Sequence, residues 1–456
     1  MAKFMLNSDA FAWQMEADAA LRSTVVSVVM LDRSPDHDLL LARFRRICDE
    51  VPMFRERVVE TLPPAPPRWE LDPDLDLDWH ARRVTAPAPG TLDTVLEMAR
   101  RAQMAEFDRA RPLWEVTVVD GLTDGAAALV CKLHHSLSDG IGAVQLSRIL
   151  FDLPLGPGAT GGRPETPAPP SRLDPWTDPL RYDLSLVGRA AHLGLRTAPA
   201  ALLHAVRRPV ASTRATAGMT ASVYRMVRPI NHCGSPIMTE RRLIRRLGTH
   251  QVPLAALKAA GRQGGGTLND AFLAGVAAGL RRYHDRHGVP IEDLHVTMPL
   301  STRSEHDPIG GNRLTLMRFD LPVGLTDPAD LVGEIHERVA AVRAEPSLPY
   351  TQAIAAGLNL LPRWYLASVL RHVDFLASDV PGLPVPVRLG DARVTMQYPV
   401  GPTIGAGVNV TLMTYVDTCA LGIDVDVGAI PDVDEFHACL VAGFEEVLAL
   451  APTSAA

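Results

Sequence analysis

Two adjacent histidines open the stretch His134-His135-Ser136-Leu137-Ser138-Asp139-Gly140. A neutral imidazole, whose ordinary pKa is about 6.5, can take a proton from an alcohol or an amine at pH 7. Proton transfer of that kind contributes about 10²–10⁴-fold in rate. An apolar β-type run, Ala126–Leu133, leads into the pair. Gly140–Phe151 follows with helical spacing through Ile141, Val144, Leu146, Ile149 and Leu150. Side chains alternate across a strand, so one ring faces a reaction site and the other a core or an interface. Asp139 falls near the start of the helix, and Gly140 lets a substrate or another backbone approach closely. Two histidines alone have an ordinary reading as core or surface imidazoles. The full spacing His-His-x-x-x-Asp-Gly at a strand-to-helix junction favours chemistry.

Rival chemistries lack their residues. There is no His-Glu-x-x-His, and His284-x-x-His287, beside Arg281, Arg282 and Arg286, reads as a solvated helix end rather than a metal site. Gly-x-Ser-x-Gly is absent, no lysine follows a glycine as in a phosphate-binding loop, and Gly405-Ala406-Gly407 lacks the third glycine of a dinucleotide fingerprint. Lys3, Lys132 and Lys258 are the only lysines, which leaves few candidates for a Schiff base. No metal and no bound cofactor are expected.

The elements that must position the histidines alternate between strand and helix, which points to mixed α/β layers. Ser23–Leu31 reads as a strand, and His37–Glu50 and Leu92–Phe107 as helices. Trp114–Asp120 and Ala126–Leu133 read as a hairpin around Thr123-Asp124-Gly125. A proline- and glycine-rich stretch, Leu153–Pro179, reads as a surface linker. Beyond it Leu184–Arg208 is helical and arginine-bearing, a candidate for docking on a lipid surface or for packing on the body. Thr267-Leu268-Asn269-Asp270 resembles a capping box opening an apolar helix to about Tyr283. Leu294–Leu300, Leu314–Leu321, Val385–Met396, Gly407–Val416 and Ala420–Val427 read as strands. Leu331–Ala344, Thr351–Leu370 and Asp432–Leu450 read as helices.

A net charge of −7 argues against nucleic acid as a partner, because phosphate binding needs a basic face. Five scattered cysteines, never paired as Cys-x-x-Cys, fit reduced thiols in the cytoplasm. Met1 to Glu16 has no signal-peptide core, and no apolar run approaches the roughly 18–20 residues that span a bilayer. The expectation is a cytoplasmic protein, at most peripheral on a membrane or lipid droplet.

Further motifs carry a resemblance over nearly the whole chain: Asp9-Ala10-Phe11, Pro52-Met53-Phe54-Arg55, Asp108 to Glu115 with Pro112-Leu113-Trp114, and Asn269-Asp270. Pro299-Leu300 through Gly311-Asn312-Arg313, Ser378-Asp379-Val380-Pro381-Gly382, and Val408-Asn409-Val410 to Pro431-Asp432 complete it. The chain resembles the bacterial wax ester synthase/acyl-CoA:diacylglycerol acyltransferase family, within the CoA-dependent acyltransferase superfamily of chloramphenicol acetyltransferase and condensation domains. The histidine motif marks the superfamily; Pro-Leu-Trp and Asn-Asp narrow it to the family.

The resemblance implies an α/β, two-lobed chloramphenicol acetyltransferase-like fold with the active-site channel between lobes. Residues 1–152 would form the N-terminal lobe, 153–230 the crossover linker and helix, and 231–456 the C-terminal lobe. It implies transfer of a long-chain acyl group from acyl-CoA, a co-substrate, to diacylglycerol or a fatty alcohol. His135 would be the general base, with His134 supporting and Asp139 a structural aspartate paired to a distant arginine, for which Arg303 is the candidate. Pro112-Leu113-Trp114 and Asn269-Asp270 would pack or shape the channel rather than react. Apolar runs such as Ala271–Leu280 and Ile354–Leu370 are either tunnel lining or plain core. Two departures, Asp379 where the family has asparagine and Asp417 where glycine is common, would add charge near the core of the motif. A carrier-protein thioester donor, a non-lipid acceptor, and a non-catalytic lipid-binding protein remain as alternatives.

Overall fold

The computed structural model describes residues 3–154, 177–179, 181–182, 184–185, 209–301, 310–312 and 314–452. Two six-stranded sheets dominate it. The first runs Arg388–Leu389, Ala392–Val400, Thr24–Leu31, Ala127–His134, Trp114–Asp120, Ala81–Thr85. Its pairs are antiparallel except the last, which is parallel. The second runs Leu314–Pro322, Asp293–Ser301, Phe375–Leu383, Val408–Tyr415, Thr418–Asp426, Arg245–Pro253, with Phe375–Leu383 parallel to both neighbours. A small sheet joins Lys3–Phe4, Arg68–Leu71 and Glu56–Val59.

The halves of the sequence do not map one-to-one onto the sheets. Ala392–Val400 lies far down the chain, yet pairs with Thr24–Leu31, from Val394 opposite Leu31 to Val400 opposite Val26. The strand leaves toward the first sheet where the two sheets touch. A Cβ on Gly422 would stand 1.6 Å from the Pro399 carbonyl oxygen, so only glycine permits that approach.

The hairpin reads as expected, with Thr123-Asp124-Gly125 as its turn and Trp114 opposite Leu133. Thr351–Leu370 is two helices, Thr351–Leu358 and Arg363–Leu370, because Pro362 has no amide hydrogen to continue the first and begins the second. Val385–Met396 is likewise split at Gly390, whose φ of +60° turns the chain between Arg388–Leu389 and Ala392–Val400. Phe375–Leu383 carries a Pro-Gly pair and reads poorly as a strand. It is one, with its register shifted between Val380 and Leu383. Arg363–Leu370 and Pro209–Val227 meet where the Tyr365 hydroxyl donates to the Val227 carbonyl at 3.2 Å. Leu184–Arg208, apart from its first two residues, and Arg303 lie outside the described residues.

His284 corrects the solvated reading. It is fully buried, one ring nitrogen 2.8 Å from the Leu280 carbonyl and the other 2.7 Å from the Ser235 hydroxyl. The neighbouring Arg281 is also buried and pairs with Glu446 at 2.6 Å. Among the described residues no group of three or more His, Cys, Asp and Glu is placed to hold a metal.

Candidate active site

The histidine pair sits where Ala127–His134 ends. Both backbones are pinned by the flanking strands: the His134 amide donates to the Leu113 carbonyl at 3.0 Å, and the His135 amide to the Ser23 carbonyl at 3.0 Å. The amide of Leu137 then closes a turn onto the His134 carbonyl. With the backbone fixed on both sides, the alternation of the strand separates the rings.

His134 is fully buried and packs edge-on against Trp13 and Phe107. Its Nδ1 accepts the Ser136 amide hydrogen at 3.2 Å. A ring nitrogen that accepts carries no hydrogen, so Nε2 carries it and faces Glu16 Oε2 at 3.3 Å. Burial pushes the Glu16 carboxyl up. The hydrogen bond and charge of His134, the Ser23 amide and Arg22 outweigh it and leave Glu16 below its ordinary value. Glu16 and Trp13 escaped the sequence reading because more than a hundred residues separate them from the histidines.

His135 faces a cavity of about 490 Å³, within the roughly 300–1,000 Å³ usual for small-molecule sites. Its walls draw on both sheets: Val116, Cys131 and Leu133 from the first, Met298, Leu316 and Met413 from the second. Burial lowers the His135 pKa, and the nearby His134 adds to that. The backbone at His135 and Ser138 and the Asp139 carboxylate act the other way without overcoming it. The ring is therefore neutral at pH 7 and able to accept a proton.

Asp139 is buried and caps the following helix, accepting the Gly142 amide hydrogen at 2.8 Å. The adjacent Gly140 meets Val380 of the Val-Pro-Gly segment; a Cβ there would stand 3.0 Å from a Val380 methyl. Three distant motifs converge beside this turn. Ser138 bridges to Gly311, whose amide donates to the Leu137 carbonyl at 2.9 Å, and the Asn312 amide donates to Asp9 Oδ1 at 2.9 Å.

Pro112 and Leu113 are buried beneath the histidine strand, and Trp114 is fully buried. The indole stacks on Phe44 (5.1 Å between ring centres) and His80 (4.4 Å), and its Nε1–H donates to the Phe54 carbonyl at 2.8 Å. Trp114 thus ties Phe54 of the Pro-Met-Phe-Arg motif to the cavity wall.

Asn269 and Asp270 are separated by the turn of their helix. Asn269 lines the cavity, with its amide nitrogen buried and unpartnered among the described residues. Asp270 closes the capping box with the Thr267 amide at 2.8 Å and lies 2.8 Å from His336 Nδ1. The two apolar runs part similarly. Ala271–Leu280 is core, crossed by the helix Val433–Leu448 so closely that a Cβ on Gly443 would meet the Gly279 nitrogen at 2.3 Å. Ile354, Ala355, Leu358, Val369 and Leu370 line the cavity.

The two departures also differ. Asp379 lines the cavity, and burial pushes its carboxyl up to about 6 against the opposing charge of Arg343. Asp417 corrects the expectation of added core charge: it is exposed in the turn between Val408–Tyr415 and Thr418–Asp426.

Solved structures with this two-lobed arrangement place the fold in the chloramphenicol acetyltransferase-like class. The wax ester synthase/diacylglycerol acyltransferase of Marinobacter aquaeolei superposes with a TM-score of 0.63 at 20% identity, over 98% of this chain and 99% of that one. The first condensation domain of the calcium-dependent antibiotic synthetase gives 0.63 at 12%, over 100% and 97%. Residues 5–272 match the wax ester synthase/diacylglycerol acyltransferase catalytic domain, and 310–447 the C-terminal domain of the same family. A Mycobacterium tuberculosis protein, provisionally named a diacylglycerol O-acyltransferase, is 35% identical over 96% of this chain and 90% of its own. The chain belongs to the wax ester synthase/diacylglycerol acyltransferase family. It is an O-acyltransferase.

Proposed function

We propose that the protein transfers a long-chain acyl group from acyl-CoA to the hydroxyl of diacylglycerol, a fatty alcohol, or both, with His135 as general base and no bound cofactor. The observation that carries this reading is the neutral His135 ring in the wall of an apolar cavity built from both sheets. The imidazole takes the acceptor hydroxyl proton as the oxygen attacks the thioester carbonyl. Collapse of the tetrahedral intermediate expels the CoA thiolate, which recovers the proton from the imidazolium. No acyl-enzyme is required. His134, held against Glu16 and Ser136, fixes the strand end; Asp139 fixes the helix that follows. Each methylene buried in the cavity contributes about 0.8 kcal/mol, which favours long chains. In this reading residues 1–152 and 231–456 are two lobes, the second lending Arg388–Leu389 and Ala392–Val400 to the sheet of the first, with 153–230 between them in sequence.

No helix among the described residues is long and apolar enough to cross a membrane. The acceptors named are water-insoluble, so the reading places the protein in the cytoplasm with peripheral contact to a membrane or lipid droplet. Purified protein given palmitoyl-CoA with dioleoylglycerol or hexadecanol is expected to release free CoA only when an acceptor is present. Turnover confined to an acyl group on a carrier protein would replace the donor. Lipid binding without any turnover would leave a non-catalytic protein.

A further inference from the structure

We propose that the tip formed by Tyr350, Leu360, Leu361 and Trp364, with Tyr224 beside it, docks the protein on an anionic lipid surface. The inference rests on the water-insoluble acceptor proposed above, and names the face through which that acceptor is taken up.

The tip is the connection between Thr351–Leu358 and Arg363–Leu370 together with the turn that precedes them. Trp364 is 72% exposed, Leu360 66%, Tyr350 55% and Leu361 41%. Large apolar side chains clustered in this way mark an interaction surface, and an indole suits the boundary between water and lipid. The same two helices supply Ile354, Leu358, Val369 and Leu370 to the wall of the His135 cavity. One element therefore presents apolar groups to solvent at its tip and to the cavity along its inner face. Pro209–Val227 is fastened alongside by the Tyr365–Val227 bond and by the Ser222 hydroxyl, 2.7 Å from that of Ser347, which brings in Tyr224, 63% exposed.

Charge selects the partner. No carboxylate occurs from Pro346 to Val373, and Arg363 at the tip makes no ion pair among the described residues. The acids at its margins are already taken: Glu345 by Arg225 at 2.8 Å and Asp18 by Arg371 at 2.6 Å. From Leu184 to Thr239 the sequence holds seven arginines and no Asp or Glu, in a chain whose net charge is −7. The described part of that stretch, the acid-free helix Pro209–Val227 with Arg214 and then Arg228, lies beside the tip, and on an otherwise acidic protein it fits an anionic lipid surface.

The test uses the full chain with phosphatidylcholine vesicles, with and without phosphatidylglycerol. Wild type is expected to co-sediment with the phosphatidylglycerol vesicles, less so as salt rises. The double variant Leu360→Asp, Trp364→Ser should partition roughly tenfold more weakly. It should also lose turnover on vesicle-embedded diacylglycerol while keeping it on a short-chain alcohol dispersed in detergent, since neither residue lines the cavity. Partitioning is measured without substrate, so it stands or fails separately from the acceptor assignment. Equal partitioning of variant and wild type overturns the proposal. So does a wild-type dimer that the substitutions dissociate with vesicle binding unchanged, because the tip would then be a contact between copies.

Discussion

His135→Ala should lower CoA release by about 10²–10⁴-fold, the usual contribution of a positioned general base, while leaving the thermal unfolding midpoint close to wild type. The ring faces the cavity, its backbone is held by Ser23, and its removal leaves the Leu113 and Ser23 contacts of the strand end intact. Residual turnover reflects what binding alone achieves: a hydroxyl and a thioester held together still react, slowly, without a base. The companion His134→Ala should behave differently. That ring is enclosed by Trp13 and Phe107 and contacts Glu16 and Ser136, so its loss leaves a buried carboxylate facing a void and destabilises the fold. Equal turnover in His135→Ala and wild type would remove the base assignment.

The largest stability effect is expected at Trp114. Trp114→Ala should cost about 3–5 kcal/mol in equilibrium denaturation, the range for deleting a large buried aromatic. The stacking on Phe44 and His80 is lost, and the Phe54 carbonyl keeps only the weak Cys48 thiol donor at 3.6 Å. Trp114→Phe keeps a ring between Phe44 and His80 and should retain much of that energy, but it still gives up the indole hydrogen bond, at a cost of about 0.5–1.5 kcal/mol. The order Ala worse than Phe, read in urea, separates packing from the hydrogen bond. An unchanged denaturation midpoint in Trp114→Ala would show that the indole is not structural.

The parts legible in the sequence were those set by local rules. Periodicity identifies His37–Glu50 and Gly140–Leu150, and the turn at Thr123-Asp124-Gly125 identifies the hairpin that carries the histidines. Strand alternation by itself separates the two rings. Hidden features depend on distant partners. The Glu16 carboxylate meets His134 only because Asn7–Met15 folds across the strand end. Exchange of Ala392–Val400 into the first sheet leaves no mark in its own residues, because an apolar strand reads the same in either sheet. His284, with arginines on both sides, looks solvated until Ser235 arrives to satisfy it. Phe375–Leu383 is a strand despite its Pro-Gly pair, since the shifted register absorbs the proline and the Thr414 carbonyl leaves room only for glycine at 382. Asn269 and Asp270 show the same limit at a smaller scale. The capping box is visible in sequence, but which residue faces the cavity follows from the direction in which the helix enters it.

If a neutral, buried imidazole at position 135 takes the acceptor proton, its titration must appear in the pH dependence of kcat/KM. The rate follows the fraction of neutral His135, so it falls as pH drops through the pKa of that ring. Burial places that pKa below the ordinary value of about 6.5. Asp379, in the same cavity, titrates near 6 and passes from charged to neutral as the pH falls, so the profile must be taken in Asp379→Asn as well. An acid limb below pH 6.5 is expected in wild type and should persist in Asp379→Asn. A limb that vanishes with Asp379, or a rate indifferent to pH across that range, would contradict it.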